Sequence, residues 1–252
     1  MTTLTLLTKI SDSTQLKQVD KALQTLLIGL EVEVTILGSV ASRWVQISLT
    51  GEDEAIAMNY LIQEVGLCPI RLDNVKNGST LKGYIEKIGN YELSVDVGVF
   101  QPQIIHANVS LRHLQDELMD GRKIALRKIA KLFGLYDGVP INVRVNGFNE
   151  EKNSITAELS SCQINKFATW TESLLDRLIV AGASLHEIEG IIEYMKLDRD
   201  IIEVESLGIL DQVLICKLGT NAAGLIPKIG RKLRIATFVV FNPKNLNSFL
   251  KT

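Results

Sequence analysis

The sequence predicts an α+β protein built in three parts, and three observations carry that prediction. Residues 1–75 alternate strand and helix patterns in the order βαββαβ. Residues 80–162 are short strands punctuated by glycine, with one amphipathic helix among them. Residues 163–252 run helices first and strands after, and the stretch from Gln212 onward has seven cations and no acid. At roughly 100–200 residues per domain, 252 residues hold two or three such units.

The first part opens with "TTLTLLTK" as a strand. "STQLKQVDKALQTLLIGL" (13–30) is a helix: Leu16, Val19, Leu23, Leu26 and Leu27 repeat at helical spacing, and Asp12 or Ser13 is placed to cap it. "EVEVTIL" (31–37) and "SRWVQISLTG" (42–51) alternate as strands around a Gly38-Ser39 turn. "EDEAIAMNYLIQEVG" returns to helix with acids in its first turn, where the dipole favours them. "CPIRLDNV" (68–75) is a last short strand, which completes a ferredoxin-like unit. The polar "NVKNGST" (74–80) reads as a linker, and a second hinge is expected near 163–168.

In the middle part, "LKGYIEKIGNYELSVDVGV" is strand, turn, strand. "PQIIHANVSLRHL" is a third extended segment running into a turn. "GRKIALRKIAKLFG" (121–134) is a helix with Leu126, Ile129, Ala130 and Phe133 on one face. "PINVRVNGFNEEKNSITAELSS" closes as a hairpin with its polar turn at 149–153. Five short strands and one helix predict a small OB-type barrel. The third part reads "TWTESLLDRLIVAG" and "SLHEIEGIIEYMKL" as helices, the second with a capping box in Ser184 and Glu187. "DIIEVESLG", "DQVLICKLG" and "IATFVVF" follow as strands, with a glycine loop and a short helix before the last.

Three resemblances accompany these patterns. "KGYIEKIGNYELSVDVG" and "INVRVNGFNEEKNSITAELS" resemble the opening and closing strands of an S1-type OB fold. That likeness implies base stacking on the second and third strands: Tyr91 and His106 fall near such positions, and Leu93 stands where an aromatic is expected. The ααββαβ reading of 163–252 resembles KH-like modules, in which a GxxG loop clamps a nucleic-acid backbone. Here the loop is Gly219-x-x-x-x-Gly224, with Gly230 beyond. Over most of its length the chain is similar to an archaeal family, domain-of-unknown-function family 2110, through "LSVDVGVFQP", "DGRKIALRKIAKLFGLYDGVPINVRV" and "LGTNAAGLIPKIGRKLRIATFVVFNP". This resemblance implies an archaeal source and no particular activity.

Charge points to a partner. The formal net charge is -2, so a nucleic-acid surface has to be local. Lys217, Lys228, Arg231, Lys232, Arg234, Lys244 and Lys251 give the run from Gln212 a charge of +7, leaving -9 on the remainder. Arg122, Lys123, Arg127, Lys128 and Lys131 form a second set, in which Lys123, Arg127 and Lys131 share one helix face; Arg112 and Arg144 extend it. Two basic patches read as a phosphate-tracking surface, and Gly219 and Gly224 read either as a structural strand–helix turn or as a backbone phosphate clamp within it.

Several chemistries are excluded on motif grounds. Gly224 is followed by Leu225 and Ile226, so the lysine and hydroxyl of a P-loop are missing. His106, His113 and His186 lack metal-ligand spacing, and Asp96 beside Gly98 reads as a turn former. No GxSxG or nucleophilic-cysteine signature occurs. Cys68, Cys162 and Cys216 sit in no CxxC and read as reduced, buried thiols of a cytoplasmic protein. No segment has the ~20 apolar residues of a membrane span, and the first residues lack the charged start of a signal peptide. The expectation is therefore a non-catalytic, cofactor-free RNA-binding protein of translation, transcription or RNA processing. Its RNA is single-stranded or structured, and a ribosome or RNA polymerase is the larger partner. The alternatives are a protein-interaction adaptor docking on a ribosome, polymerase or exosome and, third, an enzyme of unrecognised type. Neither a membrane nor a small-molecule substrate is expected.

Overall fold

β1 (Thr2–Lys9), β2 (Val32–Val40) and β3 (Trp44–Gly51) form an antiparallel sheet in the order β1-β3-β2, with α1 (Gln15–Leu26) and α2 (Glu54–Glu64) packed on one face. The computed structural model describes residues 1–149, 151 and 153–250. Lys251 and part of the turn placed at 149–153 lie outside the described residues. The expected Gly38-Ser39 turn is not a turn. Gly38, at φ +123°, sits at a register shift inside β2, and the chain reverses at Ala41–Arg43 instead.

The last strand of the ferredoxin-like pattern is divided between two sheets. Leu67 makes a single antiparallel bridge to Leu6, in the place a fourth strand would hold beside β1. The chain then crosses over, and β4 (Ile70–Arg71) adds parallel to the edge of the next unit. Cys68 still donates to the Thr5 carbonyl at 2.9 Å, but Pro69 after it has no N–H for a ladder, which limits the pairing beside β1 to that bridge.

β5 (Thr80–Ile88), β6 (Glu92–Gln101), β7 (Ile105–Ser110), β8 (Pro140–Asn149) and β9 (Ser154–Leu159) close into a five-stranded barrel. The order is β6-β5-β8-β9-β7 and back to β6, with β7 and β9 parallel and every other pair antiparallel. This is OB connectivity. Alternate residues of β6, Leu93, Val95, Val97 and Val99, point inward and are buried. Two helices lie between β7 and β8 rather than one. α3 (Leu111–Leu118) is capped by the Ser110 hydroxyl, which accepts from the His113 N–H at 3.2 Å, and it buries Leu114 and Leu118. The segment read as a turn is thus helical. α4 (Leu126–Phe133) begins later than the expected 121 and ends at Gly134, at φ +66°.

α5 (Ser161–Glu172) packs Phe167 and Trp170 into the barrel's hydrophobic cluster, so residues 163–168 lie inside a helix rather than in a hinge. "RLIVA", read as helix from sequence, is β10 (Arg177–Ala181). All five residues are buried, and β-branched side chains in a run covered on both faces favour a central strand. It is followed by α6 (Leu185–Met195), β11 (Ile201–Gly208), β12 (Asp211–Cys216), α7 (Ile226–Ile229), β13 (Thr237–Phe241) and α8 (Pro243–Leu250). The four strands make an antiparallel sheet in the order β11-β12-β10-β13. One face, with Ile179, Val213 and Phe241, joins the barrel's cluster; the other, with Leu178, Val180 and Leu214, packs on α6 and α7.

The tip of the β11–β12 hairpin touches all three parts. Leu210 is buried in the N-terminal core. Asp211 accepts from the Tyr84 hydroxyl of the barrel at 2.6 Å. The N–H groups of Gly182 and Ala183 both donate to the Leu210 carbonyl, at 2.7 and 2.8 Å. Burial pushes the Asp211 carboxyl up to about 6, against the stabilising Tyr84 bond and the Lys82 charge. The same burial lowers the Lys82 amine and raises the Tyr84 phenol. No helix among the described residues is long and apolar enough to cross a membrane.

Candidate nucleic-acid interface

α4 buries Leu126, Ile129, Ala130 and Phe133 against the barrel, which turns Arg127, Lys128 and Lys131 outward. Opposite them stand β13, the edge strand of the C-terminal sheet, and α8. Between the two walls runs a groove of about 1090 Å³. Lys87 and Ile88, at the end of β5, enter at one side, and Leu135, Tyr136 and Asp137 follow α4 along the floor. The lining has four cations and one acid. Asp137 is that acid, and burial, with Glu86 nearby, holds its carboxyl above the usual range. Lys128 reaches across to lie 4.9 Å from the centre of the Phe249 ring. Lys87, Arg127 and Lys131 make no ion pair among the described residues.

Arg122 has a structural task. Its guanidinium donates to the carbonyls of Phe249 (3.4 Å) and Leu250 (2.6 Å), at the C-terminal end of α8, where unpaired carbonyls attract a cation. It thereby fixes the far wall of the groove. Lys123 is exposed and outside the groove. Arg112 and Arg144 are engaged with Asp116 (3.9 Å) and Glu158 (3.8 Å), also away from it.

The glycine loop does not present a free phosphate cradle. The Ala222 N–H donates to the Asp176 carboxylate at 3.2 Å, and the Ala223 N–H donates to the Asn221 side chain at 2.9 Å. The Gly224 N–H donates to the Asn221 carbonyl at 3.0 Å. The anion in the loop is the protein's own buried Asp176, which also accepts from the Asn242 amide at 2.9 Å. Gly219, at φ +91°, meets a backbone need that glycine fills. The following helix, α7, is four residues long. A cavity of about 180 Å³ lined by Lys217, Gly219, Thr220 and Lys244 adjoins the groove, since Asn242 lines both.

The C-terminal basic run divides between the two faces of its sheet. Lys217 and Lys244 border the cavity beside the groove. Lys228, Arg231, Lys232 and Arg234 belong to the α7 layer, on the opposite face. There Lys228 lies 3.9 Å from Asp200, and Lys232 covers the Tyr194 ring at 4.6 Å. The run was expected to act as one patch; α7 and the turn after it cover one face of the sheet and α8 the other, which separates its cations into two sets.

The barrel's expected stacking face is covered in part. Trp44 and Leu7 of the N-terminal sheet pack on Tyr84 and Cys68, against the outer side of β5 and β6. Lys9 crosses to Asp96 at 2.7 Å, and the Gly98 N–H donates to the same carboxylate at 3.0 Å, the turn role expected of Asp96. His106 is half-buried and stands opposite Asp96 in register, at the rim of this contact. Tyr91 is 80% exposed in the β5–β6 turn. Leu93 points into the barrel, so an aromatic there would not face a base.

His113 accepts the Leu159 N–H at its Nε2 (3.0 Å), a packing role. Cys68 and Cys216 are buried as expected, whereas Cys162 is exposed on α5. No group of three or more metal-ligating side chains occurs among the described residues. Sequence reasoning missed Lys87, Tyr136 and Asn245 as groove residues. Each is isolated in its own segment, and only the packing of barrel against sheet brings them together.

The chain matches family models over most of its length: the DUF2110 N-terminal domain at residues 3–69, the DUF2110 central domain at 75–171 and the DUF2110 C-terminal domain at 175–241. None of the curated proteins matches it in sequence. Among solved structures, it is similar to an uncharacterised protein of Methanocaldococcus jannaschii at 17% identity, over 34% of this chain and 95% of that one, with TM-score 0.25. It is similar to the intact alpha subunit of aIF2 from Pyrococcus abyssi at 11% identity, over 67% and 97%, with TM-score 0.26.

Proposed function

The chain belongs to the DUF2110 family, all three of whose domains it spans, and we propose that it is a non-catalytic RNA-binding protein. Its interface is the groove between α4 and the edge of the C-terminal sheet. The observation that carries this reading is the presence of Lys87, Arg127 and Lys131, without ion-pair partners among the described residues, around a floor on which Tyr136 is open. Cations left unpaired along a concave wall suit a polyanion. The S1-type and KH-like resemblances of the sequence support RNA as that polyanion and translation, transcription or RNA processing as the setting.

Salt dependence tests it. Each phosphate neutralised on a single strand contributes about -0.7 to the slope of log K against log salt. Replacing Lys87, Arg127 and Lys131 with alanine therefore flattens the slope by about 2 units on the same rule. The measurement is fluorescence anisotropy of a labelled oligoribonucleotide across a salt series. Alanine at Lys228, Arg231, Lys232 and Arg234, on the other layer, leaves the slope unchanged. If the triple variant keeps the parent's affinity and slope, the groove is not the interface.

One observation favours a second reading, a protein-interaction adaptor. α2 exposes Ile56, Tyr60 and Ile62 to solvent, which is much apolar surface for one short helix. A partner that co-purifies after RNase treatment and is lost in an Ile56→Ser, Tyr60→Ser variant supports it. Loss of every partner on RNase treatment removes it.

A further inference from the structure

The two walls of the groove differ in kind. Arg127, Lys128 and Lys131 line one wall. The other is β13 and α8, which contribute Phe238, Val239, Val240, Asn245 and no cation. A duplex carries phosphates on both of its flanks and hides its bases. A single strand carries phosphates on one side and unstacked bases on the other. The asymmetry of the walls matches the second.

The floor agrees with this. Leu135 is buried beneath it, Leu132 and Phe249 are half-buried, and Tyr136 stands 55% exposed among them, the one large apolar side chain open to the groove among the described residues. Apolar surface left open in a cationic groove gains nothing from a duplex's ribose-phosphate exterior. It gains from base faces, which stack on aromatic rings with little regard to sequence. β13 adds hydrogen-bonding capacity. It ends the sheet, pairing only with β10, so alternate main-chain N–H and C=O groups on its outer edge have no strand partner. Unpaired bases offer their Watson–Crick edges to meet them; in an RNA duplex those edges are occupied and the major-groove edges lie too deep for a strand edge to reach.

We infer that the groove takes single-stranded RNA, with its phosphates along α4 and its bases stacked on Tyr136 against the floor and the free edge of β13. This rests on the RNA-binding reading above. The strand continues past Asn242 toward Lys217 and Lys244, where the adjoining cavity supplies the next cations.

The test uses the full chain and a labelled RNA of about twelve nucleotides, within the usual range of single-strand site sizes. It is presented once alone and once annealed to its complement. The single strand binds at least about tenfold tighter. Tyr136→Ala lowers single-strand affinity by roughly 5- to 150-fold, the range for losing one stacked base, and leaves duplex binding as it was. Tyr136→Phe keeps the ring and restores the affinity. Circular dichroism of each variant matches the parent. Equal affinity for duplex and single strand overturns this inference and leaves RNA binding intact. A Tyr136→Ala variant that binds the single strand as tightly as the parent overturns it too. Binding of neither form overturns both readings. A polyglutamate peptide that binds where RNA does not makes the groove a peptide site and likewise overturns both.

Discussion

Replacing Asp211 with asparagine removes a fully buried carboxyl group from the point where the three parts of the chain meet. Asp211 accepts from Tyr84 at 2.6 Å, and burial pushes its carboxyl from 3.8 up to about 6. The folded chain therefore holds this proton more tightly than the unfolded chain does. Below pH 3.8 the group is protonated in both states, and above about 6 it is ionised in both. Between the two, stability falls as pH rises, because ionising the folded state costs more. A shift of roughly two pKa units at 1.36 kcal/mol per unit makes that loss about 3 kcal/mol. Asparagine has nearly the same shape, still accepts from Tyr84 and does not titrate. The parent thus loses about 3 kcal/mol relative to Asp211→Asn between about pH 2.5 and about pH 7.5. At about 2–4 °C per kcal/mol for a chain of this size, the gap between the two melting midpoints changes by roughly 6–12 °C. The assay is thermal unfolding at several pH values, followed by fluorescence of Trp44 and Trp170. Parallel profiles for parent and variant would refute the reasoning, since all other titrating groups are shared.

Three further outcomes follow from the geometry. Gly219→Ala destabilises by about 1–2 kcal/mol because its φ is positive, whereas Gly224→Ala, with open space at its Cβ, is neutral or gains up to about 1 kcal/mol and leaves RNA affinity unchanged in anisotropy titrations. Weaker binding by Gly224→Ala with an intact fold would make that backbone a contact. Asp176→Ala strands the Ala222 N–H and the Asn242 amide, at about 1.5–3 kcal/mol for each bond to a charged group, and hydrogen exchange speeds up in residues 219–225. Limited proteolysis cuts first at 74–80 and spares 163–168; a first cut within α5 would show that Phe167 and Trp170 do not hold that helix to the barrel.

Where a segment's own periodicity decides its structure, the sequence was legible. The stripe of Leu126, Ile129, Ala130 and Phe133 is the buried face of α4, and the glycine-punctuated strands close the barrel. The motif logic against a P-loop also rested on local residues. Misreadings arose where burial on two sides overrode local pattern. "RLIVA" alone suits a helix as well as a strand, and it is a strand because layers cover both of its faces. The last N-terminal strand was visible, but its partner was not: pairing with β6 depends on where the barrel sits.

The candidate site divides in the same way. Counting charges located both basic sets and identified Arg127 and Lys131. Counting could not tell that Arg122 is spent on the end of α8, or that the C-terminal cations lie on two faces of one sheet. The glycine loop looked like a phosphate turn because spacing records where amides are and not what they already hold; Asp176, more than forty residues away, takes the Ala222 N–H, and Asn221 takes those of Ala223 and Gly224. The sequence by itself determined the elements and the sign of the surface, since both follow from neighbours along the chain. Tertiary structure alone decided which cations share a groove, because that depends on α4 packing across from an edge strand more than a hundred residues later.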